Sequence, residues 1–325
     1  MIEVSVIVPA YNASKRISFC VESLLTQKTT RTYEVIVVDD GSADDLKKVL
    51  SRYPIVRVLT QKNSGPGVAR NLGVKEAQGE VVLFTDDDCI AEEDWIDRMT
   101  EAFDDKEVVG IKGAYLTRQQ EPVARFVQIE YEEKYDFMSR HKSIDFIDTY
   151  SAGFRRKTFL ESGGYHSRFR TASVEDQEFS FRLARRGLKM LFIPEAKVWH
   201  SHVDTIRGYV RKKIKIGYWK MLALKRNPGK ATGDSHTPQT LKIQILLSAL
   251  LLPSFALPQI EQIGLSGPVM VAILFLLTTL PLTVRALRKD FMVGLRAPFY
   301  IALRAISLFL GLLLGGVIFL VFGKR

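Results

Sequence analysis

The chain has 325 residues, 46% hydrophobic and 25% charged, with two cysteines, which excludes intrinsic disorder and a disulfide scaffold and allows one large domain or two modest ones. Its net charge of +10 is unevenly spread: residues 205–325 carry 17 of the 46 Lys and Arg but three of the 36 acids, a net +14, leaving residues 1–204 at −4. Basic charge confined to an apolar end suits lipid headgroups rather than nucleic acid, and no nucleic-acid partner is expected.

Residues 4–8 are a β-branched run ending at Pro9 and the loop Ala10-Tyr11-Asn12. Residues 15–27 are amphipathic, with Ile17, Val21, Leu24 and Leu25 on one side. A second strand, 34–38, breaks at Asp39-Asp40-Gly41-Ser42, a turn and helix N-cap. A helix over 44–52, a strand over 56–59, a helix over 67–77 and a strand over 80–85 follow, the last ending in Asp86-Asp87-Asp88. Continuous apolar strands joined by helices predict an α/β fold with a mostly parallel, Rossmann-like sheet covered on both faces. Ligands bind such sheets beyond the carboxyl ends of the strands, where the acidic motifs lie.

Residues two apart point to one side of an extended chain, so Asp86 and Asp88 can share a cation while Asp87 points elsewhere. Hard oxygen ligands suit Mg²⁺ or Mn²⁺. The triplet reads equally as a helix N-cap, because Glu92-Glu93-Asp94-Trp95 follows. The Gly-rich turn from Asn63 to Gly67 runs into a helix carrying Arg70, an arrangement that lets backbone N–H groups and a guanidinium approach phosphate. Cys20 and Cys89 have no metal-type spacing.

Taken together and in this order, the motifs resemble the family 2 glycosyltransferases of the GT-A fold, over residues 4 to about 220. The resemblance implies that Pro9, Tyr11 and Asn12 cradle the base of a nucleotide-sugar, and that Asp39 or Asp40 contacts base or ribose. It assigns Lys62, Arg70 and Asp87 to the donor, and likens Asp86 and Asp88 to the family's metal-binding Asp-x-Asp, holding Mn²⁺ or Mg²⁺ at the diphosphate. Gly153, in a glycine-rich stretch that otherwise reads as a surface turn, is implied to line the sugar and acceptor pocket. Glu175-Asp176 opens a helical run over 177–186, where acids complement the helix dipole. In the family this pair touches the donor and supplies the general base of an inverting transfer, and the matching base is Asp176. His200, after a strand over 190–193, fits the family's metal-facing histidine better than His202 and reads otherwise as an interfacial histidine. The Gln-x-x-Arg-Trp motif of processive relatives is missing after Asp176, which favours one sugar per encounter.

From Thr205 to Lys230 there are nine Lys or Arg and no acid, interleaved with apolar residues at helical spacing, the pattern of an interfacial helix. Residues 123–140 form a weaker amphipathic companion. Apolar runs over 243–257, 269–284 and 299–322 predict about three transmembrane helices, with a hairpin plus a re-entrant third segment as the alternative, and Arg304 snorkelling to headgroups. The loop 285–296 carries four cations and 258–268 none, which puts 285–296 and the catalytic body on the cytoplasmic side.

The expected organisation is a GT-A catalytic domain over 1–204, a basic interface helix and linker over 205–240, and a membrane domain over 241–325. The expected protein is a multi-pass plasma-membrane enzyme. It moves one sugar from GDP-mannose or a UDP-hexose to a polyprenol- or dolichol-linked glycan, as in N-glycan biosynthesis. Membrane lipids are further partners, and a polyprenyl-phosphate sugar synthase or a processive polysaccharide synthase is the alternative.

Overall fold

A computed structural model describes residues 1–167, 174–230, 233–254 and 266–321. The chain divides into two compact units, Met1–Arg118 with Met138–Ser201, and Gln119–Phe137 with His202–Arg325.

The first unit is built on one sheet of β1 (Val4–Ala10), β2 (Tyr33–Asp39), β3 (Arg57–Thr60), β4 (Val81–Thr85), β5 (Cys89–Ala91), β6 (Val108–Leu116), β7 (Ser151–Arg155) and β8 (Lys189–His200), in the spatial order β3-β2-β1-β4-β7-β6-β8-β5. The half predicted from the alternating pattern, β3-β2-β1-β4, is parallel. Every residue of β1 is buried, as a strand covered on both faces requires. Beyond β4 the sheet is mixed: β7 runs antiparallel to β4 and β6, β6 pairs parallel with β8, and β5 pairs antiparallel with β8. Only the acid triplet separates β4 from β5, too short a link for a parallel crossover, and β5 pairs with β8 at the far edge instead of with β4. β8 runs well past the expected 190–193, and Trp199 and His200 are therefore strand residues.

Helices α1 (Ile17–Leu25), α2 (Leu46–Leu50), α3 (Pro66–Glu76), α4 (Trp95–Thr100), α6 (Arg156–Glu161) and α7 (Glu175–Arg185) belong to this unit, whereas most of α5 (Pro122–Met138) falls in the second. Pro66 opens α3 behind Gly65, whose φ of 96° few other residues adopt. At Gly73 a Cβ would stand 2.4 Å from Ile7 Cγ2, so only glycine lets α3 lie this close to β1. Phe84, Phe154, Phe159, Tyr165 and Phe179 form a ring cluster with centroids 4.8 to 6.0 Å apart, holding α6 and α7 to β4 and β7.

In the second unit, α5 packs with α8 (Ile206–Arg226), α10 (Ser266–Lys289) and α11 (Phe291–Gly316) around Phe126, Tyr209, Leu282 and Tyr300. Among the described residues, two helices are long and apolar enough to cross a membrane, Gly267–Lys289 and Phe291–Leu320. The first expected run forms α9 (Gln239–Ser254), apolar but shorter. Residues 255–265, hence most of the expected loop 258–268, and residues 322–325 lie outside the described residues. Leu277 and Leu280 on α10 and Leu313 and Leu314 on α11 are among many large apolar side chains left exposed, a surface suited to lipid. Arg304 does not snorkel. Its side chain is 2% exposed, with Nη1 3.0 Å from Glu130 Oε1 and Nη2 2.9 Å from Gln244 Oε1.

α8 lies against α11 through glycines. A Cβ on Gly217 would stand 2.4 Å from Leu308 O, and one on Gly311 would stand 2.2 Å from Ile214 O. Gly315, four residues on, meets Tyr218 O in the same way, giving the small-residue spacing that brings helix backbones together. Gly311→Val should therefore destabilise the detergent-solubilised protein by at least about 2 kcal/mol. Gly233→Ala, where a Cβ meets nothing within 4 Å, should stay within about 0.5 kcal/mol by the same melting assay.

Candidate active site at the strand ends

The carboxyl ends of β1 and β2 are stitched together by Asn12. Its φ of 49° is left-handed, its N–H donates to Ser42 Oγ at 2.9 Å, and its Oδ1 accepts the Ala43 N–H at 2.9 Å. Pro9 is buried in β1 opposite Val38, and Tyr11 projects half-exposed from the strand end. The adjacent Asp39 and Asp40 do different work. Both oxygens of Asp40 turn inward, to Gln61 Nε2 at 2.6 Å and to the N–H groups of Ser64 and Gly65 at 2.8 Å, which shapes the turn before α3. Asp39 accepts the Ser42 N–H at 2.8 Å through Oδ1, while its buried Oδ2 accepts no hydrogen bond. Lys62 stands exposed on the turn.

The three acids that end β4 have three different partners. Asp86 takes Arg70 Nη2 at 2.5 Å, and Nη1 of the same guanidinium is 3.5 Å from Glu175 Oε1. Arg70 and Glu175 are each 3% exposed and Asp86 is 30% exposed, so a dry pair joins α3 to α7 and meets the end of β4 at its solvent side. Asp87 turns the other way, to Arg16 Nε at 2.7 Å and Nη2 at 3.1 Å, and receives the Tyr11 N–H at 3.4 Å. Burial lifts the Asp87 carboxyl to about 6 even against the Arg16 charge. Arg16 carries no motif, and nothing in the sequence marked it. Asp88 lies 3.5 Å from His200 Nε2, and His200 packs on Tyr115, which stacks on Tyr150. His202 is engaged elsewhere, in the second unit, with Nε2 2.9 Å from Gln128 Oε1.

Ligand atoms of Asp86, Asp88 and Cys89 all lie within 4.8 Å of one another. Two carboxylates and a nearby imidazole are a donor set that fits Mg²⁺ or Mn²⁺, and the Cys89 thiol is a softer neighbour that the spacing did not flag.

Asp176 follows Glu175 in the first turn of α7. Its Oδ1 accepts the Gln177 N–H at 2.7 Å, and its half-buried carboxyl is raised to about 7, first by removal from water and then by the Glu175 charge. Lys112, fully buried on β6 against Asp148 and 3.3 Å from Tyr150 OH, opposes that rise. Gly153 is not at the acidic mouth. It sits within β7 opposite Leu83, where a Cβ would stand 2.8 Å from Leu83 and Ile111 side chains, a packing position in the sheet.

Residues 5–163 match the profile of Glycosyl transferase family 2. Glycosyltransferase GlyG of Streptococcus pneumoniae is 36% identical over 117 residues, 34% of this chain and 38% of that protein. EpsH of Bacillus subtilis, described as a glycosyltransferase, is 30% identical over 234 residues, 65% of this chain and 64% of its own. The chain thus spans less than two thirds of either relative. Mannosyltransferase PcManGT from Pyrobaculum calidifontis, solved in complex with GDP-Man and Mn²⁺, superposes with a TM-score of 0.62 at 18% identity over 99% of this chain and 88% of that one. Residues 5–163 thus carry a family 2 glycosyltransferase segment, and the sheet is of the GT-A type.

Arg70 generates a direct test of the triad. Arg70→Met strands a buried carboxylate and should cost roughly 3–5 kcal/mol in chemical denaturation. Arg70→Met with Glu175→Gln should recover part of that loss, because the uncompensated charge goes with it.

Proposed function

We propose that this family 2 glycosyltransferase moves one hexose, with inversion, from a GDP- or UDP-linked sugar to a hydroxyl of a polyprenol- or dolichol-linked glycan. Asp176 carries the reading. A carboxylate raised to about 7 is matched to taking a proton near neutral pH, which a phosphate acceptor would not need. In the transfer, the acceptor oxygen bonds to the anomeric carbon and its proton passes to Asp176, while the bond from that carbon to the diphosphate breaks and the nucleoside diphosphate leaves.

On the donor side, Asp39 Oδ2, buried and without a hydrogen bond, is a spare acceptor for the imide N–H that guanine and uracil both carry once the strand-end loop admits the base, whereas Asp40 holds the turn. Asp86 and Asp88, with His200 alongside, would hold Mn²⁺ or Mg²⁺. A bound divalent cation supplies positive charge to the leaving diphosphate. The Arg70 guanidinium aims Asp86, and the Arg16 pair keeps Asp87 out of the way.

Attachment to a membrane is supported by the two long apolar helices and by Arg211, Lys212 and Lys215, which stand exposed on α8. The basic segment 285–296 supports a cytoplasmic catalytic unit in a plasma-membrane protein. Because PcManGT is solved in complex with GDP-Man and Mn²⁺, GDP-mannose with Mn²⁺ is the first donor to test.

Asp176→Asn should lower transfer to a hydroxyl acceptor at least about 10²-fold while donor binding persists. In the wild type, kcat/KM should rise about tenfold per pH unit below about 7 and level off above it, since the base acts deprotonated. Near-normal transfer by Asp176→Asn would remove it as the base. Asp39→Ala should weaken nucleotide binding by calorimetry about tenfold with little change in melting, and Asp40→Ala should do the reverse.

A further inference from the structure

The turn from β4 into β5 spans Asp86 to Cys89 and folds its last residue back onto its first. The Cys89 N–H donates to the Asp86 carbonyl at 3.1 Å, the oxygen that also accepts the Cys20 thiol at 3.4 Å. Cys89 Sγ then lies 3.8 Å from Asp88 Oδ1, within the group of Asp86, Asp88 and Cys89 ligand atoms that stand inside 4.8 Å of one another. Asp87, the remaining member of the turn, is held away by Arg16. Consecutive residues thus present two carboxylates and a thiol to one small volume. Cys89 is 1% exposed and the Asp88 side chain 40%, so the group is open to solvent at Asp88 and closed behind by Cys89.

Separation decides what the group can hold. Zn–S bonds are about 2.3 Å and Zn–O bonds about 2.0–2.2 Å, so two ligand atoms of one ion stand no further apart than about 4.5 Å. The 3.8 Å between Cys89 and Asp88 is inside that limit, and the widest separation in the group exceeds it by a few tenths of an ångström at most. Turning the exposed Asp88 carboxylate closes such a gap. Hardness decides which ion uses the sulfur. Mg²⁺ takes oxygen ligands and leaves a thiol alone. Zn²⁺ accepts carboxylate and thiolate together, with three protein ligands and a fourth position left for water or substrate.

We propose that Asp86, Asp88 and Cys89 form a Zn²⁺ site, and that zinc bound there through the Cys89 sulfur blocks the donor's diphosphate. As the Zn–S bond forms, the thiol proton passes to solvent. Two carboxylates and a thiolate set three negative charges against the two of the ion, leaving the zinc form at −1. With Mn²⁺ or Mg²⁺ on the carboxylates alone the same count is neutral, and Arg70 and Glu175 are common to both forms. A diphosphate therefore meets an extra negative charge only in the zinc form. The ion site rests on these residues, whereas its effect on the donor rests on the donor reading above.

The test uses the full chain in detergent, stripped of metal by chelator, kept reduced and titrated with Cd²⁺, a zinc stand-in whose bond to thiolate gives an ultraviolet charge-transfer band. The wild type should show the band, Cys20→Ser should keep it and Cys89→Ser should lose it. Cys20 and Cys89 are the two cysteines of the chain, so the Cys20 variant assigns the band even if the Cys89 variant fails to fold. Zn²⁺ affinity, read by competition with a chromophoric chelator, should fall at least about tenfold in Cys89→Ser. Mn²⁺ affinity, read by electron paramagnetic resonance, should stay close to wild type in that variant, and Asp88→Asn should weaken both ions. No band in the wild type, a band that survives in Cys89→Ser or vanishes in Cys20→Ser, or equal Zn²⁺ affinity in wild type and Cys89→Ser would overturn the site. Calorimetry with GDP and with UDP reads the blocking. The zinc-loaded wild type should bind the nucleotide at least about tenfold more weakly than the Mn²⁺-loaded one, and Cys89→Ser should narrow that gap. Equal binding by the two forms would overturn the blocking role. Binding of neither nucleotide to the Mn²⁺-loaded form would sink the donor reading instead and leave the zinc site standing.

Discussion

Arg70 is a guanidinium taken almost wholly out of water, and the catalytic unit is arranged around the two carboxylates that keep it there. An unpaired charge at that depth would be strongly destabilising, so α3, the end of β4 and the start of α7 must converge. The close approach of α3 to β1 at Gly73 sets where Arg70 starts from, and the ring cluster of Phe84, Phe159, Tyr165 and Phe179 sets where α7 can lie. Asp86 is aimed by Arg70, and Asp176 follows Glu175 on α7, so the same triad orders both the metal-type acids and the proposed base.

The neighbouring acids show how one residue type is given several tasks by its partners. Asp40 and Asp87 are consumed by the protein, one by backbone donors and one by Arg16. Asp39 keeps one oxygen open, and Asp88 faces His200. Asp176 is withdrawn from water, with one backbone donor and a like-charged neighbour, and so it alone of these acids is pushed to about 7. An acid with a spare oxygen, an acid that braces a turn and an acid of raised pKa are separated by their surroundings rather than by sequence.

The helical unit repeats the device in an apolar setting. Glu130 gathers Tyr209, Lys213 and Arg304 from two other helices, while Gln244 joins Arg304 and the Thr278 carbonyl. Polar contacts of this kind add specificity where helix faces are otherwise uniformly apolar. The glycine contacts of α8 with α11 then allow a basic helix to lie along a membrane-type one at backbone distance.

The sequence by itself determined the parallel half of the sheet, the acid-bearing strand ends, the basic helix and the apolar runs, because each is a local pattern of burial or turn chemistry along contiguous residues. The family could be read for the same reason: its motifs are short and ordered along the chain. Tertiary structure alone decided which of Asp39 and Asp40 keeps an unpaired acceptor and that Arg16 answers Asp87. It also decided the antiparallel half of the sheet, the packing role of Gly153, and the burial of Arg304 against Glu130, 174 positions away. Each of these depends on a partner brought from another part of the chain. Periodicity and spacing report which face of an element is buried, but not which polar group will meet it there.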